Sequence, residues 1–249
     1  VDFLSLDSRI TIASMATEMG GIIILFPSKD GVIADEAAEY ERTIEIDIDG
    51  LEPMISRPGH PEDVTSVKDV SGAKIDSGFI GSCTNGRMDD MRAIAKILKG
   101  KKIAPGRILK IVPSTDKIWK KCLDEGLIKI FKDAGALVGS AGCAGCAAGQ
   151  IGQTGPGEVA VSSGNRNFVG KQGRGDIYLA SPATVAASLV AGLVTTEDAV
   201  PEKPEPVAIS PVKSSPTKIR KESVKSPVKA EGRVWVIGKD NIDTDMIFH

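Results

Sequence analysis

An α/β fold, with a parallel sheet covered by helices on both faces, is what this sequence predicts for most of its length. Two observations carry that expectation. Between residues 74 and 191, short apolar runs of strand character alternate with stretches whose apolar residues recur at helical spacing. The helical stretches also carry boundary residues: Ser181-Pro182 opens one and Gly126 interrupts another.

The elements follow in order. Residues 10–19 have helical spacing, ended by Gly20-Gly21. The apolar run 22–26 reads as a buried strand and residues 35–42 as a short acidic helix with a solvated face. Residues 43–48 alternate polar and apolar side chains, as a half-buried strand does. Residues 51–70 hold four Pro or Gly residues and no strong period, so they read as an ordered connector with His60 on a loop. A strand is expected over 74–82. Met88–Leu98 follows as an amphipathic helix with Met91, Ile94, Ala95 and Leu98 on one face. Residues 107–113 make a second strand, and 116–134 a helix broken near Gly126, with Cys122 at a core position. Two more strands, over 157–161 and 176–179, precede the helix Pro182–Ala191 capped by Ser181.

Composition bounds what such a chain does. It has 249 residues, a net charge of −2 and no long uncharged apolar run, so no membrane-spanning helix is expected. The near-neutral balance gives no general electrostatic reason to bind nucleic acid, which is not expected as a partner. Residues 201–230 carry six of the fourteen prolines among Ser, Lys and Glu and read as an extended linker. Its basic half lacks aromatics and reads as a solvated tether. No signal peptide is visible, and both ends read as cut from something longer.

Chemistry concentrates between Gly81-Ser82-Cys83-Thr84-Asn85-Gly86 and Gly142-Cys143-Ala144-Gly145-Cys146-Ala147. Three thiolates on turns of small residues can hold an iron–sulfur cluster, because Gly and Ala let the backbone approach the inorganic core. Three ligands leave one iron open to act as a Lewis acid. A C-x-x-C is shared, however, with redox dithiols and zinc sites, and the only histidines, His60 and His249, are distant in sequence. A nucleophilic role for Cys83 would need a nearby imidazole. In a parallel sheet, ligands bind beyond the carboxyl ends of the strands. Cys83, Asn165-Arg166 and Ser181-Pro182 each follow an expected strand, so they converge on one edge.

The segments Gly81 to Arg87, Gly142 to Cys146 and Asn165-Arg166-Asn167-Phe168-Val169-Gly170, in this order and spacing, resemble the aconitase superfamily. The Gly86-Arg87 ending is most similar to its branch of 3-isopropylmalate dehydratase large subunits and homoaconitases. The resemblance covers most of residues 8–195. It implies a [4Fe-4S] cluster on Cys83, Cys143 and Cys146, with the fourth iron binding a hydroxy-polycarboxylate substrate. It implies catalytic roles for Glu18, at the end of the run from Arg9, and for Asn165 and Arg166, with substrate binding by Arg166 and Lys171. Read as chemistry, the last three suit a polycarboxylate: arginine grips carboxylate bidentately, asparagine donates to oxygen, and lysine adds a point charge. Ser14 and Lys171 depart from the Asn and Arg usual in relatives.

The resemblance further implies an organisation like the third aconitase domain with the tail of the second. Residues 1–72 would be that tail and connector, 73–200 the cluster-binding domain, 201–230 the linker, and 231–249 the start of a swivel domain, elsewhere a small subunit. The implied reaction is dehydration and rehydration by a cytoplasmic hydro-lyase of leucine biosynthesis or a related pathway. Its base would lie on the swivel domain, so these residues alone are expected to be inactive. The alternatives are an aconitate hydratase and a non-enzymatic regulatory or RNA-binding relative.

Overall fold

The computed structural model describes residues 3–27, 33–146, 148–202 and 232. The chain divides into two units, Val1–Ala208 and Ile209–His249. The expected linker, beyond residue 202, and the expected swivel start lie outside the described residues, Gly232 apart.

Helix α1 (Leu6–Ser14) starts at Ser5, whose hydroxyl accepts the Ser8 N–H at 3.1 Å. A hairpin follows, β1 (Met54–Ser56) and β2 (Val64–Ser66), then a 3-10 turn over Val67–Val70. β3 (Ser77–Gly81) is buried throughout and runs directly into the single turn α2 (Ser82–Asn85). α3 (Met88–Leu98) has the expected bounds and buries Met91, Ile94, Ala95 and Leu98 as its spacing demands. β4 (Ile108–Val112) leads to α4 (Asp116–Asp124) and α5 (Leu127–Ala134). The break between them is Gly126, in the left-handed region at φ 72°. β5 (Leu137–Val138), β6 (Val159–Ser162), β7 (Asp176–Ala180) and α6 (Pro182–Ala191) complete the unit, with the Ser181 hydroxyl capping Thr184 N–H.

Seven strands form one sheet in the order β2-β1-β7-β6-β3-β4-β5. β3 is the centre: it pairs in parallel with β4 on one side and β6 on the other. β5 and β7 extend the parallel part, while β1 joins β7 antiparallel and carries β2 outside it. The α/β class and the parallel core are as expected. The connector is more regular than its prolines suggested, because the Arg57 N–H to Asp63 carbonyl bond at 2.8 Å closes it into a hairpin.

The two faces of the sheet are covered differently. Ile80, Leu109, Ile111 and Val161 face a layer made by α3, α4, α5 and α6, with Met91, Ile94, Phe131 and Leu189 among the buried side chains. Each such side chain contributes about 1.5–3 kcal/mol on burial. On the opposite face Phe79 and Val112 pack against Ala144, and a Cβ on Gly145 or Gly152 would lie 3.1 or 2.8 Å from the Phe79 ring. Loops therefore stand where helices were expected on this face. The reason is in the connections: β5 to β6 and β6 to β7 run through glycine-rich segments with no helical period.

Three further expectations fail. Residues 22–26 and 43–48 are not strands and 35–42 is not a helix; Ile22 is 97% exposed and Ile46 77%. A strand exists only through a partner's hydrogen bonds, and none among the described residues offers them. No helix among the described residues is long and apolar enough to cross a membrane.

Candidate metal centre and active site

The carboxyl edge of β3 sets the site. Gly81 has φ 145° and an added Cβ would fall 2.0 Å from the Val112 carbonyl oxygen, so only glycine passes there. Ser82 follows with φ 70°, and this sharp turn leaves Cys83 exposed at the sheet edge. The Arg87 guanidinium donates to the Cys83 carbonyl at 3.2 Å. Asn85 ties the turn to its neighbours: its amide donates to Ser163 O at 2.6 Å, and its carbonyl accepts the Thr11 hydroxyl at 3.2 Å. The single Thr11 proton is shared with Thr84 O, the nearer acceptor at 2.9 Å, which docks α1 on α2.

The second turn holds Cys143, exposed, and Cys146, half-buried. Ala144 between them takes φ 58°. The Cys146 thiol lies 3.9 Å from the Asn165 carbonyl oxygen, while the Asn165 amide donates to Ser14 O at 3.3 Å. Asn165 thus bridges the cysteine turn and the end of α1. Ser14 contributes its backbone here, its hydroxyl being turned back to Thr11 O at 2.7 Å. Arg166 pairs through Nε with Glu18 and reaches the Thr17 hydroxyl at 3.4 Å. Thr17, Glu18, Arg166, Phe168 and Lys171 line a cleft of about 360 Å³.

Electrostatics follow from this geometry. Burial pushes the Glu18 carboxyl up, but hydrogen bonds from Arg166 and Thr17 outweigh it and hold it below its usual value. The Glu18 bond raises Arg166 in turn, helped by the negative charge Cys146 and Cys83 can carry. Burial, then the neighbouring Cys143, raise the Cys146 thiol, while Arg166 and Lys171 pull it down.

The structure therefore brings Glu18, Arg166 and Lys171 into one cleft and sets Asn165 against Cys146. Arg166 senses both Cys83 and Cys146, and Cys143 acts directly on Cys146. Among the described residues, no three Cys, His, Asp or Glu side chains stand close enough to cage a single metal ion. Thiols on small-residue turns can hold an iron–sulfur cluster, because the backbone comes close to the inorganic core. Cys122 stands apart, fully buried 3.9 Å from the Met88 sulfur, with its thiol pushed up to about 11 by burial. His60 is on the hairpin loop, as expected, with its ring edge-on to Phe168 at 4.8 Å.

Several residues escaped the sequence reading. Thr11 and Ser163 carried no local signal. Asn85 and Arg87 carry no signal beyond their place in the Cys83 motif. Asn167 is buried, and the two N–H groups of its amide are shared among Ser56 Oγ, Arg57 O and Ile177 O at 2.6–3.2 Å, tying the hairpin to β7.

Fold and edge together define an α/β domain that presents thiol turns beside an arginine–carboxylate pair. Residues 68–192, half of the chain, match the model of the aconitase family (aconitate hydratase), and the chain belongs to that family. It is similar to the 3-isopropylmalate dehydratase large subunit of Nitratidesulfovibrio vulgaris, 43% identical with 78% of this chain and 50% of that protein aligned. It is 41% identical to the protein of that name in Clostridium botulinum, with 80% and 52% aligned. A 3-isopropylmalate dehydratase large subunit 2 of Archaeoglobus fulgidus is 38% identical, with 77% and 50% aligned. The chain spans about half the length of the curated relatives it matches.

Proposed function

We propose that the chain is the cluster-holding part of a hydro-lyase that isomerises a hydroxy-polycarboxylate, of the 3-isopropylmalate dehydratase or homoaconitase type. The observation that carries this reading is the pairing of Arg166 with Glu18 in a cleft shared with Lys171, beside the Cys146 turn. Two cations at an edge lined by thiols suit a substrate with several carboxylates.

Cys83, Cys143 and Cys146 would hold a [4Fe-4S] cluster. When bound, it supplies a Lewis-acidic iron that makes a substrate hydroxyl a better leaving group. Arg166 grips a substrate carboxylate with the guanidinium edge that Glu18 leaves free, and Lys171 neutralises a second. Asn165 orients the Cys146 turn and offers an amide to substrate oxygen. Glu18 stays ionised and holds Arg166 in place.

In this proposal the base that removes the carbon-bound proton lies on a swivel domain or small subunit, and the described residues do not turn over substrate without it. The relatives' description as large subunits supports a second subunit. The domain organisation expected from the sequence, a place in leucine biosynthesis and a cytoplasmic location belong to the same proposal. Anaerobic reconstitution with iron and sulfide, read by absorbance, electron paramagnetic resonance and metal per chain, tests it. Uptake of a cluster is expected, followed by turnover of 2-isopropylmalate or homocitrate once the remaining polypeptide is added. Zinc retained in place of iron, or turnover by the chain alone, would overturn it.

A further inference from the structure

The Cys143–Cys146 turn sits on the loop-covered face of the sheet, where no helix braces it. Its carbonyls are nevertheless satisfied one after another. Cys143 O accepts the Gly145 N–H at 2.7 Å, and Ala144 O accepts the Gly152 N–H at 2.9 Å. Gly145 O, in a buried residue, accepts the side-chain amide of Gln153. Among the described residues, Gln153 is the one side chain that hydrogen-bonds to the backbone between the two cysteines.

Gln153 is itself anchored. The Lys110 ammonium, on β4, donates to Gln153 O at 2.9 Å. Its side chain is only 12% exposed and lies 3.7 Å from Glu158, which in turn accepts the Ser77 hydroxyl and the Gly155 N–H. The turn is thus tied by a single glutamine to a lysine–glutamate pair that spans β3, β4 and the start of β6. Losing the Gln153 amide would leave the buried Gly145 carbonyl without a donor and remove one anchor of the peptide beside Cys146.

We propose that Gln153, anchored by Lys110, is a positioning residue that, beside Asn165, sets the Cys143–Cys146 turn for metal. The inference rests on the cluster reading for its purpose, but not for its geometry. In that reading Gln153 touches neither cluster nor substrate.

The test uses the full 249-residue chain, metal-free and reduced, with Gln153→Ala and Gln153→Glu beside the wild type. Alkylation by N-ethylmaleimide is followed at each cysteine by mass spectrometry. Both variants are expected to alkylate Cys143 and Cys146 at rates changed by about threefold or more, the scale of one lost hydrogen bond. Cys83 and Cys122 serve as internal controls and keep their rates. Gln153→Glu, similar in size but unable when ionised to donate, follows Gln153→Ala and not the wild type. After anaerobic reconstitution, both variants hold less iron per chain than the wild type. Unchanged rates at Cys143 and Cys146 would overturn the proposal, and so would a uniform rise at all four cysteines, which marks general loosening. If the wild type takes up no iron, the cluster reading falls, while the alkylation pattern still decides whether Gln153 positions the turn.

Discussion

Arg166 donates its Nε–H to Glu18 across 148 residues of chain, and the Glu18 side chain is only 3% exposed whereas that of Arg166 is 36% exposed. The carboxylate is the concealed partner and the guanidinium the presented one. That asymmetry suits a cation held ready for an incoming anion: one edge is fixed from behind while the rest faces the cleft.

Glu18→Gln should leave iron content intact and lower turnover of the assembled enzyme by about a hundredfold, the scale on which a displaced binding group acts. Metal analysis beside steady-state kinetics separates the two effects. The pH dependence has a definite sign. The folded carboxyl titrates below its ordinary value of 4.5, so its contribution to stability is present above that pH and lost as pH falls through the depressed value. In Glu18→Gln this acid loss should shrink.

Cysteine replacement should separate ligands from packing. Ser at Cys83, Cys143 or Cys146 is expected to lower iron per chain sharply, with little change in unfolding of the metal-free protein. Ser at Cys122 should keep full iron but lose about 1–3 kcal/mol in denaturant unfolding, because a hydroxyl is buried beside Met88 without a partner. Iron loss in the Cys122 variant with retention in the Cys83 variant would reverse the assignment.

Asp90 gives a second pH effect, of opposite sign. Burial and then the charges of Asp7 and Asp89 raise its carboxyl to about 6 from 3.8, against the pull of Arg87 and its N–H. The folded state therefore binds the proton more tightly, and the stability this brings is lost as pH rises through about 6. Asp90→Asn keeps an acceptor for the Arg87 N–H at the start of α3. Relative to wild type, it should gain up to about 3 kcal/mol more at pH 7.5 than at pH 4. Denaturant titrations at the two pH values measure the difference.

Gly81 and Gly100 both have positive φ, yet they should respond differently to alanine. At Gly100 (φ 75°) a Cβ meets nothing within 4 Å, so Gly100→Ala should cost about 1–2 kcal/mol of backbone strain. At Gly81 the Cβ would overlap the Val112 carbonyl, which belongs to β4 and cannot move alone. Gly81→Ala should cost more than about 4 kcal/mol or prevent folding, as read by circular dichroism and thermal unfolding.

Much of this fold was legible in advance because its signals are local. The bounds of α3 follow from apolar spacing, the break at Gly126 from one residue's freedom, and the start of α6 from Ser181 and Pro182. The two cysteine turns are local as well, being set by small residues, and the chemistry read from them and from Asn165-Arg166 belongs to the proposal above. Residues 22–26 and 43–48 misled for the converse reason. Their apolar runs have strand composition, but the ladder that would make them strands must come from elsewhere.

The sequence by itself, then, determined the α/β class and the order of the strands and helices from β3 to α6, α2 and β5 excepted, since periodicity and capping act within a few residues. Only the tertiary structure decided that one sheet face is covered by loops and not helices, and that Thr11 docks on Thr84. It alone joined Glu18 to Arg166 and hung the Cys143–Cys146 turn from Gln153. Those are contacts between segments distant in the chain. Their partners are selected by which side chains the packed sheet brings within hydrogen-bond reach, a choice that no local pattern encodes.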